Sequence, residues 1–438
     1  MISEAILKNL LIETKDGEWG KGEPVSNHKK MLVIRGTDFS NVRFGSLKGV
    51  PIRFIPEHIG ERKKLHAADI IIETAGGTKD QPTGRTVFLK ERILKTSPFP
   101  LTCSSFTRFL RINSGLADPE YVFWFLQFLY ETGKMEHHQV QHTGVARFQY
   151  TKFSEKILIP LPLLSEQRAI AHILGTLDDK IELNRRINET LEAMAQALFK
   201  SWFVDFDPVR AKMEGRPTGL PKEIEDFFPD SFEDSELGEI PRGWEVTVLG
   251  EIINILDSKR IPLSGKQRNE RPGPYPYYGA AGILDFIDDF IFEGIFILVG
   301  EDGSVINRNG NPVTQYVWGK FWVSNHAHVL SGNRGISNEH LLLFLQTLEI
   351  GPYVTGAVQP KLNQTNLCRI PFLLPNESIC KSFEDIVSPI YAIYRENFMQ
   401  IKILTNIRDN LLPKLLSGEI KVSGIPPRQR STGERQAK

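Results

Sequence analysis

Cysteine is scarce in this chain. Three residues, Cys103, Cys368 and Cys380, are scattered along 438 positions without the paired spacing of a zinc site. So few and so widely spaced, they rule out a disulfide scaffold and fit a reducing, cytoplasmic setting. Long apolar runs are missing too. The most apolar stretch, around 282–300, is interrupted by Asp285, Asp288, Asp289 and Glu293, so no membrane span is expected. The first twenty residues lack a basic segment followed by an apolar core, which argues against a signal peptide.

Recognisable catalytic chemistry is the third shortage. There is no HExxH, CxxC pair or GxSxG, and no glycine-rich S-adenosylmethionine loop. The segment GGTKDQPTGRT (76–86) follows a strand-like run as a phosphate loop would. However, its glycines are too far apart and Arg85 stands where lysine is needed. Asn311-Pro312 continues as Val313-Thr314 rather than as an adenine-methylation motif. His326 and His328 would share a strand face but have no third ligand nearby in sequence, so no metal site is expected. These absences leave binding rather than catalysis as the expectation.

Net charge is also absent: 53 basic residues balance 53 acidic ones. The distribution is uneven. Residues 1–160 hold 23 lysines and arginines against 17 acids, whereas 163–236 hold 9 against 16. A basic first region is the footprint of a phosphate-binding surface. Residues 237–375, with 11 bases against 13 acids, carry no such excess.

What the chain does contain is a repeat half its own length. FLQFL (125–129), Thr143-Gly144, Ile159-Pro160 and a long helical pattern recur as FLQTL (344–348), Thr355-Gly356, Ile370-Pro371 and a second long helical pattern. Such a duplication suggests a two-part target. The order of strand-like and helix-like runs predicts a mixed α/β (α+β) fold with a pseudo-two-fold internal repeat. A first globular domain spans 1–162 and a central helix 163–206. A Pro-, Gly- and acid-rich connector covers 207–236, a second globular domain 237–375 and a distal helix 376–420. A disordered tail covers 421–438.

The helices carry matched heptad seams. The first reads Ile170, Leu174, Leu177, Ile181, Asn184, Asn188, Leu191, Ala195, Leu198 and Trp202. The second reads Ile379, Phe383, Ile386, Ile390, Ile393, Asn397, Gln400, Leu404, Ile407 and Leu411. Polar residues half-way along both seams would fix register, which predicts an antiparallel coiled coil between the two helices. Ser165 is the expected N-cap of the first, and Pro389 is expected to kink the second.

The loops around the repeated Thr-Gly pairs hold side chains suited to base edges and phosphates. In the first copy these are Gln139, Gln141, His142, Thr143, Gly144 and Arg147, with Lys79, Gln81, Thr83 and Arg85 from the preceding loop. The second copy offers Thr355, Gly356, Gln359, Lys361 and Asn363, with Asn307, Arg308 and Asn309. A self-contained nuclease or methyltransferase and a protein-binding scaffold are the competing readings.

Four stretches carry a family resemblance. LPLLSEQRAIAHILGTLDDKIELNRRINETLEAMAQALFKSWFVDFDPVRAKMEG (161–215) resembles the central conserved region of DNA-specificity (S) subunits of type I restriction-modification systems. IRDNLLPKLLSGEI (407–420) resembles the end of their second conserved helix. VIRGTDFSN (33–41) and IIIETAGGTKDQPTGR (70–85) resemble one class of first recognition domain. The resemblance implies a non-catalytic subunit that binds double-stranded DNA, with each domain reading half of a bipartite target. It implies docking of two modification (methyltransferase) subunits and association with restriction (translocase/endonuclease) subunits. S-adenosylmethionine, ATP and Mg would be bound by those partners, with no cofactor on this chain. It also gives the acidic residues Asp178, Asp179, Glu182, Glu189 and Glu192 a use as a partner-facing surface.

Overall fold

The computed structural model describes residues 3–77, 81–142, 145–356 and 358–422, without the side chains of Gln141, His142 and Val145. The expected disordered tail lies almost wholly outside the described residues, as do Lys79, Thr143 and Gly144. The chain folds into two compact units. One combines Met1–Arg186 with Asn397–Lys438, and the other is Ile187–Glu396.

In the first unit, β-branched residues build a four-stranded antiparallel sheet in the order Leu11–Asp16, Thr107–Ile112, Ile70–Glu73, Thr86–Phe88. Ile70, Ile71 and Ile72 are fully buried, because one face of the sheet packs under helix Pro119–Glu131 and the other under a second sheet. That second sheet places His28–Ile34 antiparallel to Ile52–Pro56 and parallel to Leu101–Cys103. Helix Pro119–Glu131 begins where Asp118 accepts hydrogen bonds from the Glu120 and Tyr121 N–H groups, with proline at its first position. Strand Leu158–Leu161 pairs with Ser3–Ile6 and returns the chain to the start of the unit.

The second unit repeats this plan. Its sheet runs Ile253–Ile255, Ala327–Gly332, Phe292–Gly300, Thr314–Val323, then Pro272–Tyr278 and Ile283–Ile287. The first four strands follow the same order and pairing as the four-stranded sheet of the first unit. Ile70 faces Leu110 there, and Ile297 faces Leu330 here. Thr314–Val323 is long enough to pair antiparallel with Phe292–Gly300 along 314–321 and parallel with Pro272–Tyr278 at its last two residues. It thereby replaces two separate strands of the first unit. Glu245–Val248 pairs with Pro371–Leu374 as Ser3–Ile6 pairs with Leu158–Leu161. The FLQTL motif closes helix Asn338–Thr347, which Ser337 caps at its start and Leu348 at its end.

Two helices of 40 residues, Leu164–Phe203 (proximal) and Glu377–Leu416 (distal), contribute to both units. In the first unit Asn184 Nδ2 donates to Gln400 Oε1 at 3.1 Å, and Arg408 donates to Asp178 at 2.6 Å, so ascending numbers on one helix meet descending numbers on the other. In the second unit Asn188 Nδ2 donates to the Tyr394 carbonyl at 3.1 Å. The side-chain amides of Asn184 and Asn188 in the proximal seam thus donate to the distal helix.

The proximal seam residues Ile170, Leu174, Ile181, Asn184, Asn188, Ala195 and Trp202 are buried, while Leu177, Leu191 and Leu198 are partly buried. The distal helix departs from expectation. Ile379, Phe383 and Asn397 are buried, and Ile386, Ile390, Leu404 and Leu411 partly so, but Ile393 and Ile407 are 48% and 42% exposed. Val387, Tyr391, Arg408 and Leu412 are buried instead. Counting strict heptads along a helix of 3.6 residues per turn drifts by about 20° per repeat, and over several repeats this turns the counted face away from the packed one. One end expectation also needs correction. The proximal helix begins at Leu164, so Ser165 lies inside its first turn rather than capping it. The distal helix spans the exposed Pro389.

Candidate nucleic-acid interface

In the first unit, strands Gln139–His142 and Val145–Phe148 form a hairpin, and Val145–Phe148 pairs with Ala75–Gly76. The flanks of the Thr-Gly segment are therefore joined to the start of the 76–85 loop. Several of their side chains hold these loops in place rather than pointing outward. Thr83 is fully buried, and its N–H and hydroxyl both donate to Gln139 Oε1, at 2.8 and 3.0 Å. Arg85 forms a two-pronged ion pair with the buried Glu73, Nε to Oε2 at 2.9 Å and Nη2 to Oε1 at 2.7 Å. The hydrogen bonds it donates to Glu73 raise the pKa of the guanidinium above its ordinary value, which secures its charge. Gly36 lies against this pair, so closely that a Cβ there would sit 2.2 Å from Glu73 Oε1. Thr83, Gln139 and Arg85 are thus tied to neighbouring groups of their own unit. A buried hydroxyl and a paired guanidinium are already satisfied, and the loop gains its shape from them. Gln81 and Arg147 are exposed.

The second unit sorts its residues in the same way. Thr355 and Lys361 exchange backbone hydrogen bonds of 2.9 and 2.7 Å, closing a tight loop. Gly356 turns it at φ +89°, where a Cβ would lie 2.3 Å from the Gln359 carbonyl oxygen. Gln359 projects from the loop exposed, and Lys361 sits 3.8 Å from Glu301. Asn363 accepts from the Asn366 N–H as the cap of helix Gln364–Cys368. Asn307 Oδ1 accepts from the N–H groups of Asn309 and Asn311, holding its own turn, and leaves Arg308 and Asn309 exposed. The side-chain oxygens of Asn307 and Asn363 thus hold backbone geometry, a use of asparagine that composition cannot distinguish from base contact.

Sequence reasoning missed a cluster beneath this loop. Asp257, Glu301 and His328 bring their ligand atoms within 4.8 Å of one another, a grouping that could hold a cation. Their partners are already chosen. His328 Nδ1 faces Asp257 at 2.6 Å and its Nε2 faces the Leu362 carbonyl at 2.8 Å, while Arg260 donates to Glu301 at 2.8 Å and lies 3.4 Å from Asp257. A guanidinium among the donors and a ring with both nitrogens engaged do not suit a metal.

The acidic face of the proximal helix also differs from expectation. Asp178 and Glu182 are buried, not partner-facing. Asp178 accepts from Arg43 (3.0 Å) on the globular domain and from Arg408 (2.6 Å) on the distal helix. Lys90 and Arg92 pair with Asp179 and Glu182. Glu189 is exposed and Glu192 partly buried. In the second unit a related joint links Tyr316, Glu339 and Arg395 on the distal helix. Each globular domain is fastened to the helices by polar groups removed from water.

The model of the type I restriction modification DNA specificity domain matches this chain twice, over 60–193 and 241–401. The chain belongs to this family. The first match takes in the first globular domain from residue 60 onward, the second nearly all of the second globular domain, and each adds part of one long helix, so both halves match the same domain. It is 29% identical over 362 residues to the MjaIX specificity subunit of Methanocaldococcus jannaschii, covering 77% of this chain and 80% of the relative. It is 30% identical over 326 residues to the HindI specificity subunit of Haemophilus influenzae, covering 59% and 68%. The crystal structure of the type I restriction-modification S subunit from M. genitalium shares the fold. It gives a TM-score of 0.55 at 18% identity, over 95% of this chain and 96% of that one. Among the described residues no helix is long and apolar enough to cross a membrane.

Proposed function

We propose that this chain is the sequence-specific DNA-binding subunit of a type I restriction-modification complex and performs no chemistry itself. The domains at 1–162 and 237–375 each read one half of a bipartite target on double-stranded DNA. The helices at 163–206 and 376–420 form the antiparallel coiled coil that spaces the two halves, with 207–236 connecting. The observation that carries this reading is the double family match onto two units with the same strand order and loops in equivalent places. In each unit the buried polar residues hold the loops, while exposed Gln81, Arg147, Arg308 and Gln359 are left to meet bases and phosphates.

Two modification subunits dock on the helices, and restriction subunits complete the complex. S-adenosylmethionine, ATP and Mg belong to those partners, and the assembly works in the cytoplasm. Support for a docking face comes from the distal helix, where Met399, Ile403 and Ile407 are 51%, 53% and 42% exposed at four-residue spacing. A stripe of this kind on one helical face needs a cover.

The loop assignment has a direct test. Arg147→Ala is expected to weaken binding uniformly across sequences and to reduce the salt slope by about one. Gln359→Ala is expected to relax a single position, at about 1–3 kcal/mol. Affinity measured on a panel of single-base variants at two salt concentrations separates the two effects. Identical profiles for both variants would remove these loops from the interface.

A further inference from the structure

The His328 cluster lies under the loop that carries Gln359, and its geometry fixes how many protons it holds. The ring is 1% exposed, and each nitrogen faces an acceptor: Nε2 the Leu362 carbonyl at 2.8 Å, Nδ1 the Asp257 carboxylate at 2.6 Å. A carbonyl oxygen cannot donate, so Nε2 must carry a hydrogen. The second Asp257 oxygen accepts from the Val329 N–H at 2.9 Å, which favours the carboxylate as an anion, so Nδ1 carries a hydrogen as well. The ring is then an imidazolium with both donors committed. Its neighbour Leu362 donates its N–H to the Glu301 carbonyl at 2.8 Å, and Lys361 closes the loop through Thr355. One protonated side chain therefore ties the base of the loop to the sheet strand Ala327–Gly332.

We propose that His328 is a positioning residue for sequence reading: its doubly protonated ring anchors the segment Val358–Asn363 from below, and the second domain discriminates its half-site only while that anchor is held. The inference rests on the proposed role of this loop in reading DNA.

The charged and titratable groups around the ring are Asp257 and Arg260 from one segment, Glu301 and Lys361 from two others, and Cys368, which lies near Asp257. His326 at the adjacent surface pairs with Asp302 rather than with this group. Burial by itself would pull His328 below the ordinary histidine value. The hydrogen bond and charge of Asp257, the Leu362 carbonyl and Glu301 outweigh it and raise the pKa. A raised value means that the anchor is complete below the free-histidine value of about 6.5 and is lost as pH rises through the higher folded value.

The test uses the full chain. Carbon-13 histidine NMR of the wild type should show His328 titrating above the free-histidine value of about 6.5. Hydrogen exchange at Lys361 and Leu362, corrected for intrinsic rate, should accelerate by about ten- to a hundredfold through the same midpoint. His328→Gln, which can donate one bond but cannot titrate, should remove that pH dependence. Co-expressed with the modification subunit, it should yield a methylated motif degenerate in one half and intact in the other. The wild-type titration stands whether or not the variant folds. A loop indifferent to the titration overturns the anchor. A loop that follows the titration, together with an unchanged motif in His328→Gln, overturns the reading role of the loop.

Discussion

Replacing Asp178 by alanine is expected to cost about 3–5 kcal/mol of folding stability, more than any surface change on this chain. The carboxylate is 2% exposed and sits between the guanidinium groups of Arg43 and Arg408, themselves only 17% and 9% exposed. Removing it leaves two charges in a poorly hydrated joint. Arg43 keeps one bond to Gln127 and Arg408 one ion pair with Asp409, too little to replace the shared anion. Burial alone would raise the Asp178 pKa, but Arg43 and then Arg408 overcome it and hold the value below the ordinary carboxylate range. A depressed folded value means that this stabilisation is complete above the unfolded value of about 3.9 and disappears as pH falls below it. Urea unfolding at neutral pH and near pH 3 checks both parts. The gap between wild type and Asp178→Ala should narrow in acid. A gap below about 1 kcal/mol at neutral pH would show that the joint does not secure the domain.

The second large effect concerns assembly. Changing Met399, Ile403 and Ile407 together to serine should leave folding stability nearly unchanged, because the side chains are exposed. Binding of the modification subunit should weaken by about 4 kcal/mol, roughly a thousandfold in Kd, if burial of the three apolar side chains drives docking. Titration calorimetry or co-purification measures this. Undiminished assembly would place the docking surface elsewhere.

The two predictions also mark where the sequence was legible. Repeated FLQ and Ile-Pro landmarks locate equivalent elements because each is tied to a buried position: a helix under the sheet and a strand pair joining the unit's ends. Strands such as Ile70–Glu73 read directly from their β-branched residues. The proximal seam is legible for the same reason, since its apolar face is buried along most of its length.

The distal helix is less so, because Ile393 and Ile407 are apolar without being packed in this chain. Hydrophobicity records that a side chain is to be covered, not by which surface. Charge was misread in the opposite sense. Asp178 and Glu182 look like a solvated acidic face until Arg43, Lys90, Arg92 and Arg408, remote in sequence, are brought to them. Among loop residues, Thr83, Gln139, Asn307 and Asn363 have the chemistry of base contacts and also bond to backbone and neighbouring groups, which composition does not reveal. The His328 anchor was beyond the reach of sequence, because Asp257, Glu301 and Leu362 converge on it only through the sheet and the closed loop.

The most direct test of a two-part reading subunit is co-expression of the chain with its modification subunit, followed by methylation sequencing of the host DNA. The account predicts one split motif with methylated adenine in both halves and a gap of fixed length between them. Exchanging the second domain for that of a relative should change one half only. A contiguous motif, or a stable complex that adds no methylation, would contradict it.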